Sequence, residues 1–193
     1  MRGDRKAKYL PLTINFILIT LIGLLSHDIK ADIISGKATI VDGDTVRINN
    51  ETIHLWGIDA PEMDQLCSNH KGKRYNCGHA AMRRLFLYIG SDTLDCNIHL
   101  RNKDGTLSAT CQVTSYFLMT EVGATRGEKI NLALEMVLSG YAFAVKDSNT
   151  MYRLAEDKAK KDRKGFWSGN FELPWNWRLR RQSSEGNNEH SEE

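Results

Sequence analysis

The chain has 193 residues, a formal net charge of +2 and 41% hydrophobic residues. That suffices for one modest core and excludes a strong basic field able to hold a polyanion by itself. Five Lys/Arg but only two Asp/Glu fall within residues 1–31, so residues 32–193 carry a net −1. Affinity for nucleic acid would then have to come from local patches or a bound cation.

Arg2, Arg5, Lys6 and Lys8 precede an apolar run from Leu10 to Leu25, and Ala31 places a small residue at the end of the segment. This is the pattern of an export signal, with the cut expected after Ala31. At about 16 residues, with Pro11 inside, the run is short against the roughly 20 that a membrane anchor needs. The expected organisation is a signal peptide over 1–31, one domain over 32–170 and a tail over 171–193. The tail turns polar and acidic, and is expected to lose order after about residue 181. The mature protein is expected in the periplasm or the medium, as a monomer with no stable membrane association.

Short strand signals come first: Lys37 to Val41, Thr45 to Ile48 and Thr52 to Ile58, divided by Asp42-Gly43-Asp44 and Asn49-Asn50-Glu51. Gly78 to Ile89 has helical periodicity and Gly90 ends it. A second hairpin spans Thr93 to Thr114 around Asn102-Lys103-Asp104-Gly105. Helices are expected at Asn131 to Leu138 and Met151 to Lys164. Five strands, with a helix after the third and others behind, predict a mainly β, α+β domain: a five-stranded OB-type barrel with about three helices.

All four cysteines lie after the leader, which suits two disulfides in an oxidising compartment. Cys67 and Cys77 bracket a polar, glycine-bearing loop that has little else to hold it. Cys96 and Cys111 lie symmetrically about the Asn102 to Gly105 turn, so a tight hairpin would set them opposite each other. The competing reading is a zinc site completed by His70 and His79, but no Cys-x-x-Cys pair is present.

Two acidic clusters, Asp42-Gly43-Asp44 and Asp59-Ala60-Pro61-Glu62, end strands. Pro61 fixes its own φ and holds Ala60 extended, so Asp59 and Glu62 sit on a stiff segment. Carboxylates with a backbone carbonyl suit a hard cation such as Ca²⁺ in an open site. Turn chemistry alone would also account for these residues.

Val41-Asp-Gly-Asp-Thr-Val46 and Leu55-Trp-Gly-Ile-Asp-Ala-Pro-Glu62 resemble the signature of the staphylococcal-nuclease-like (thermonuclease) family. Asn131-Leu132-Ala133 with Tyr141-Ala142, and Ala155-Glu156 through Gly165-Phe166-Trp167, resemble its later segments, so the likeness runs from about Gly36 to Trp167. The cysteines look like those of small exported members, some labelled as succinoglycan-biosynthesis proteins.

The resemblance implies hydrolysis of DNA or RNA phosphodiesters with Ca²⁺. Asp44, Asp59 and the Ala60 carbonyl would ligate the cation, and Glu62 would orient or deprotonate the attacking water. It also implies two arginines at positions where this chain has His54 and Thr106. Arg101, in the same hairpin, is a substitute candidate. Tyr152 would contact the substrate, and Thr114 to Gly127 would be an insertion. These departures leave open a catalytically silent fold that binds nucleic acid, polysaccharide or protein. The basic residues between Arg153 and Lys164 alternate with acids, as on a solvated helix face. Trp167, Trp175 and Trp177 beside Arg178, Arg180 and Arg181 suit packing of the tail, or base stacking.

Overall fold

A computed structural model describes residues 32–115, 118–120, 123–125 and 127–189. The expected leader, and Tyr116 and Phe117 of the expected insertion, lie outside these residues.

The first strands are β1 (Ile33–Lys37), β2 (Thr39–Ile40), β3 (Thr45–Ile48), β4 (Glu51–Leu55) and β5 (Ile58–Asp59), followed by a small hairpin of β6 (Leu66–Ser68) and β7 (Arg74–Asn76). Helix α1 (Cys77–Ile89) leads to the long hairpin of β8 (Thr93–Arg101) and β9 (Leu107–Ser115). Then come β10 (Leu118–Thr120), β11 (Gly123–Thr125), β12 (Glu128–Asn131), α2 (Leu132–Leu138), β13 (Phe143–Ala144), α3 (Thr150–Lys161) and α4 (Pro174–Glu189).

The main sheet runs β1-β8-β9-β4-β3-β2, with β12 added to β9. Its two ends, β1 and β2, are successive lengths of one chain segment that bends at Ala38, so this segment pairs with β8 on one side and β3 on the other. Counting it once gives the five strands expected of the OB-type barrel, with the parallel pair falling between β4 and β9. The expected three-strand meander is thus present, except that the first strand starts earlier, at Ile33.

Alternation builds the core. Leu107, Ala109, Cys111 and Val113 of β9 are buried while Ser108, Thr110 and Gln112 are not, the period-2 pattern of a strand with one wet face. Val46, Ile48, Ile53, Leu55 and Leu94 meet them from the other strands. Asparagine side chains cap three helices: Asn76 accepts from His79 N, Asn131 from Leu134 N and Asn149 from Tyr152 N, each satisfying an orphan donor of the first turn. Helix α3 stops at Lys161, short of the expected Lys164, because Asp162 caps it and Arg163 turns to φ 53°.

Both sequence-derived disulfides are present, Cys67–Cys77 and Cys96–Cys111. The thiolate zinc alternative is therefore removed. Within the expected insertion, β10 and β11 pair as a hairpin, and the unexpected β12 follows as an edge strand.

The end of the chain carries the last helix. Past residue 181 the tail is helical, α4 continuing through Glu189. Pro174 suits a first helical position, and Trp175 packs edge-on against Phe143, whose ring also meets Phe166, Trp167 and Phe171. Anchoring of the first turn supports a helix whose next turns, through Ser184, are exposed. A polar composition rules out burial there, but it does not rule out helix.

Candidate functional site

Asp42, Asp44, Thr45, His54, Asp59, Ala60, Pro61 and Glu62 line one cleft of about 490 Å³ at the rim of the barrel, together with Ile58, Val145 and Arg178. The β2–β3 turn supplies the first acids and the segment after β5 supplies the others. The Asp42 carboxylate accepts from Asp44 N–H at 3.0 Å, an Asx-type turn that supports the loop. A side chain at Gly43 would collide with the Cβ atoms of Ala60 and Ala81, so glycine lets this turn lie against the second acidic segment and α1.

Asp44 is held from two sides. One carboxylate oxygen accepts from Ala60 N–H at 2.6 Å and the other from the Thr45 hydroxyl at 2.9 Å. Thr45 also lies 3.0 Å from His54 Nδ1. While Thr45 donates its single proton to Asp44, it can only accept from His54, which places a proton on Nδ1. Burial pushes the Asp44 carboxyl well above its ordinary value, with Asp42 and then Asp59 adding to the rise against the two hydrogen bonds. Crowded acids of this kind favour a bound cation.

The second segment is fixed from below. Asp59 pairs with Phe143 in the β5–β13 ladder. Gln65 is fully buried. Its Oε1 accepts from Glu62 N–H at 3.2 Å, its Nε2 donates to the Glu172 carbonyl at 2.7 Å, and its own N–H donates to the Glu62 carbonyl at 2.9 Å. Asn76 Nδ2 donates to the Met63 carbonyl, and Cys77 N–H to the Gln65 carbonyl. Gly78 passes so close to the Glu62 carbonyl that no Cβ fits. The Cys67–Cys77 bridge then closes the loop onto the start of α1.

Arg178, reaching from α4, completes the cleft. Its Nη1 donates to Asp59 Oδ1 at 3.1 Å and Glu62 Oε1 at 2.6 Å, and its Nη2 donates to Asp59 Oδ2 at 2.6 Å. The two carboxylates, Asp59 first, raise the pKa of a guanidinium that is permanently charged in any case. Its side chain remains 42% exposed, so the pair is screened and its net stabilisation is discounted accordingly.

Other expected site residues fall elsewhere. Thr106 and Arg101 do not line the cleft. Thr106 donates to Asp104 from both N–H and hydroxyl, at 3.0 and 2.7 Å. Arg101 forks onto Glu51 and donates to the Gly105 carbonyl. Tyr152 is a core residue, 1% exposed, with its hydroxyl against Asn131 and its ring where a Gly57 side chain would stand. Its expected substrate contact is therefore corrected: the position faces inward on α3. Residues missed in the sequence are Gln65 and Arg178. Arg178 carried only the general signal of a cation beside tryptophans, and Gln65 carried none.

The donor chemistry suits a hard cation: Asp44, Asp59 and carbonyl oxygen at one rim. Among the described residues no three His, Cys, Asp or Glu side chains stand together as a group that could hold a metal ion, and both Asp59 oxygens are engaged by Arg178. A cation entering here would have to share or displace that fork.

A barrel of this topology, with paired acidic turns at its rim, defines a class, and the sequence comparison agrees. Residues 52–169 match the model of the staphylococcal nuclease homologue family, and the chain belongs to that family. It is also 30% identical over 158 residues to the succinoglycan biosynthesis protein ExoI of Rhizobium meliloti (strain 1021), covering 80% of this chain and 75% of that protein.

Proposed function

We propose that the chain is an exported, Ca²⁺-dependent nuclease that hydrolyses phosphodiester bonds of DNA or RNA. The observation that supports this most is the convergence of Asp42, Asp44, Asp59 and Glu62 on one cleft of the family fold. Asp44, Asp59 and the Ala60 carbonyl would hold the cation, which when bound supplies Lewis-acid polarisation of a phosphate oxygen. Glu62 accepts the proton of the attacking water. Its main chain is tied to buried Gln65, so the carboxylate starts from a fixed position. Thr45 and the Ala60 N–H orient Asp44, and His54 orients Thr45.

A Glu62→Gln variant tests this reading. Cleavage of single-stranded DNA and RNA in Ca²⁺ is expected to fall by about 10²–10⁴-fold, the usual contribution of a positioned general base. Equal rates in the two proteins would remove Glu62 from the reaction. A parent protein that cleaves neither substrate with Ca²⁺, over any pH, would favour the second reading: a catalytically silent member that binds nucleic acid, polysaccharide or a protein. The name of the Rhizobium relative, a succinoglycan biosynthesis protein, and the presence of His54 and Thr106 favour that alternative.

A further inference from the structure

The cleft is out of balance for the ligand assigned to it. Four carboxylates line it, and Arg178 is the single lysine or arginine among its lining residues. A phosphodiester brings another negative charge. A divalent cation alone would leave the site acidic and repelling, so a second positive group has to face the substrate.

Arg101 and the two arginines that follow Arg178 on α4 are committed elsewhere: Arg101 to Glu51, Arg180 to Glu172 and Arg181 to Asp64. Arg178 instead presents its flat fork to a carboxylate inside the cleft, at 2.6 and 3.1 Å. Two non-bridging phosphate oxygens accept the same fork. At 42% exposure the guanidinium can change partners without being buried first.

Its position is also indexed to Glu62. Gln65 accepts from Glu62 N–H with one end and donates to the Glu172 carbonyl, just before α4, with the other. One buried side chain thus ties the segment carrying Glu62 to the segment that delivers Arg178. Trp175 against Phe143 fixes the first turn of α4 from the other side.

We propose that Arg178, supplied by the C-terminal helix, is the phosphate-binding group of this site. In the ligand-free cleft it neutralises Asp59 and Glu62. When a hard cation takes Asp59, the fork passes to the phosphodiester. This rests on the nuclease reading for the identity of the ligand, and the experiment separates the two.

The full chain is compared with Arg178→Ala and Arg178→Lys, with Arg181→Ala as a control on the same helix. Thermal unfolding checks that each is folded. Binding of a fluorescein-labelled single-stranded oligonucleotide is followed by anisotropy in Ca²⁺, with Glu62→Gln added to every protein so that the probe survives. Arg178→Ala is expected to weaken binding about ten-fold and to flatten the log–log salt dependence by about 0.7, one phosphate contact on a single strand. Arg178→Lys should recover part of the affinity, and Arg181→Ala should behave as the parent.

Without nucleic acid, calorimetry should find Ca²⁺ bound several-fold more tightly by Arg178→Ala, since Asp59 is no longer shared. In the Glu62 background, cleavage by Arg178→Ala should fall by about 100-fold or more. Unchanged oligonucleotide affinity and salt slope would overturn the proposal. So would faster cleavage or tighter oligonucleotide binding by Arg178→Ala, which would make Arg178 a plug. A parent that never cleaves, but whose oligonucleotide binding still depends on Arg178, would sink the nuclease reading and leave this assignment standing.

Discussion

The tip of the β8–β9 hairpin and helix α4 both present arginines, and they use them in opposite ways. At the tip, Thr106 answers Asp104 and Arg101 answers Gly105 within the turn, and Arg101 also forks onto Glu51 of neighbouring β4, so its partners lie at the surface and not in the cleft. Arg178 of α4 crosses to Asp59 and Glu62, more than a hundred residues away in the chain. A basic residue near an acidic site in sequence order is therefore a poor guide to which cation enters it. What decides is which acid is left without a local partner.

That contrast can be broken at several points. The largest expected effect comes from replacing Cys67 and Cys77 together by serine, which frees the loop that follows Gln65, the link between Glu62 and the segment leading into α4. Loss of the bridge should cost about 2–4 kcal/mol in denaturant unfolding and lower cleavage with it. Replacing Cys96 and Cys111, which staple the β8–β9 hairpin away from the cleft, should cost similar stability with a smaller loss of activity per folded molecule. Equal activity losses would mean that the loop needs no such brace.

Gln65→Ala comes next. It removes a buried amide and strands Glu62 N–H and the Glu172 carbonyl, at a cost of about 1–3 kcal/mol. Cleavage should fall even where the protein is fully folded. An unmoved kcat at saturating substrate would show that the two segments hold their places without it.

Asp44→Asn sharpens the electrostatic side. Because the folded carboxyl titrates above its ordinary value of 3.8, the folded state binds the proton more tightly than the unfolded chain does. Stability from that proton is present below the ordinary value and lost as pH rises through the raised one. In EDTA, Asp44→Asn should therefore melt higher than the parent at pH 7, and the gap should close in acid. A lower melting temperature at pH 7 would show that Asp44 is stabilising as the anion.

Arg101→Ala should do least: its pair with Glu51 is exposed and screened by solvent, so the melting temperature should barely move, with cleavage unchanged. A large loss of activity would return the hairpin tip to the site.

Much of this was legible locally. The Asp-Gly-Asp turn, the stiff Asp59-Ala60-Pro61-Glu62 segment and the cysteine pairs are short-range patterns, and short-range physics places them. The Asn102 to Gly105 turn marked the β8–β9 hairpin for the same reason. Tyr152 misled because a resemblance in position says nothing of which face of α3 the side chain occupies, and that face packs on Asn131 and Gly57. Arg178 was illegible because its role depends on a helix docking through Trp175 onto an aromatic cluster, then reaching across the fold. The end of α3 shifted for a local reason, the left-handed turn at Arg163 that no residue type announced.

The bent segment from Ile33 to Ile40 lets the barrel begin before the family-matched region, and α4 lets the cleft end after it. The matched region stops at residue 169. A fragment trimmed to residues 52–169 would keep Asp59 and Glu62 but lose Asp42, Asp44 and the guanidinium of Arg178. The domain as a unit of descent and the site as a unit of charge thus have different edges, and carrying the barrel to a new chain would not carry the complete cleft with it.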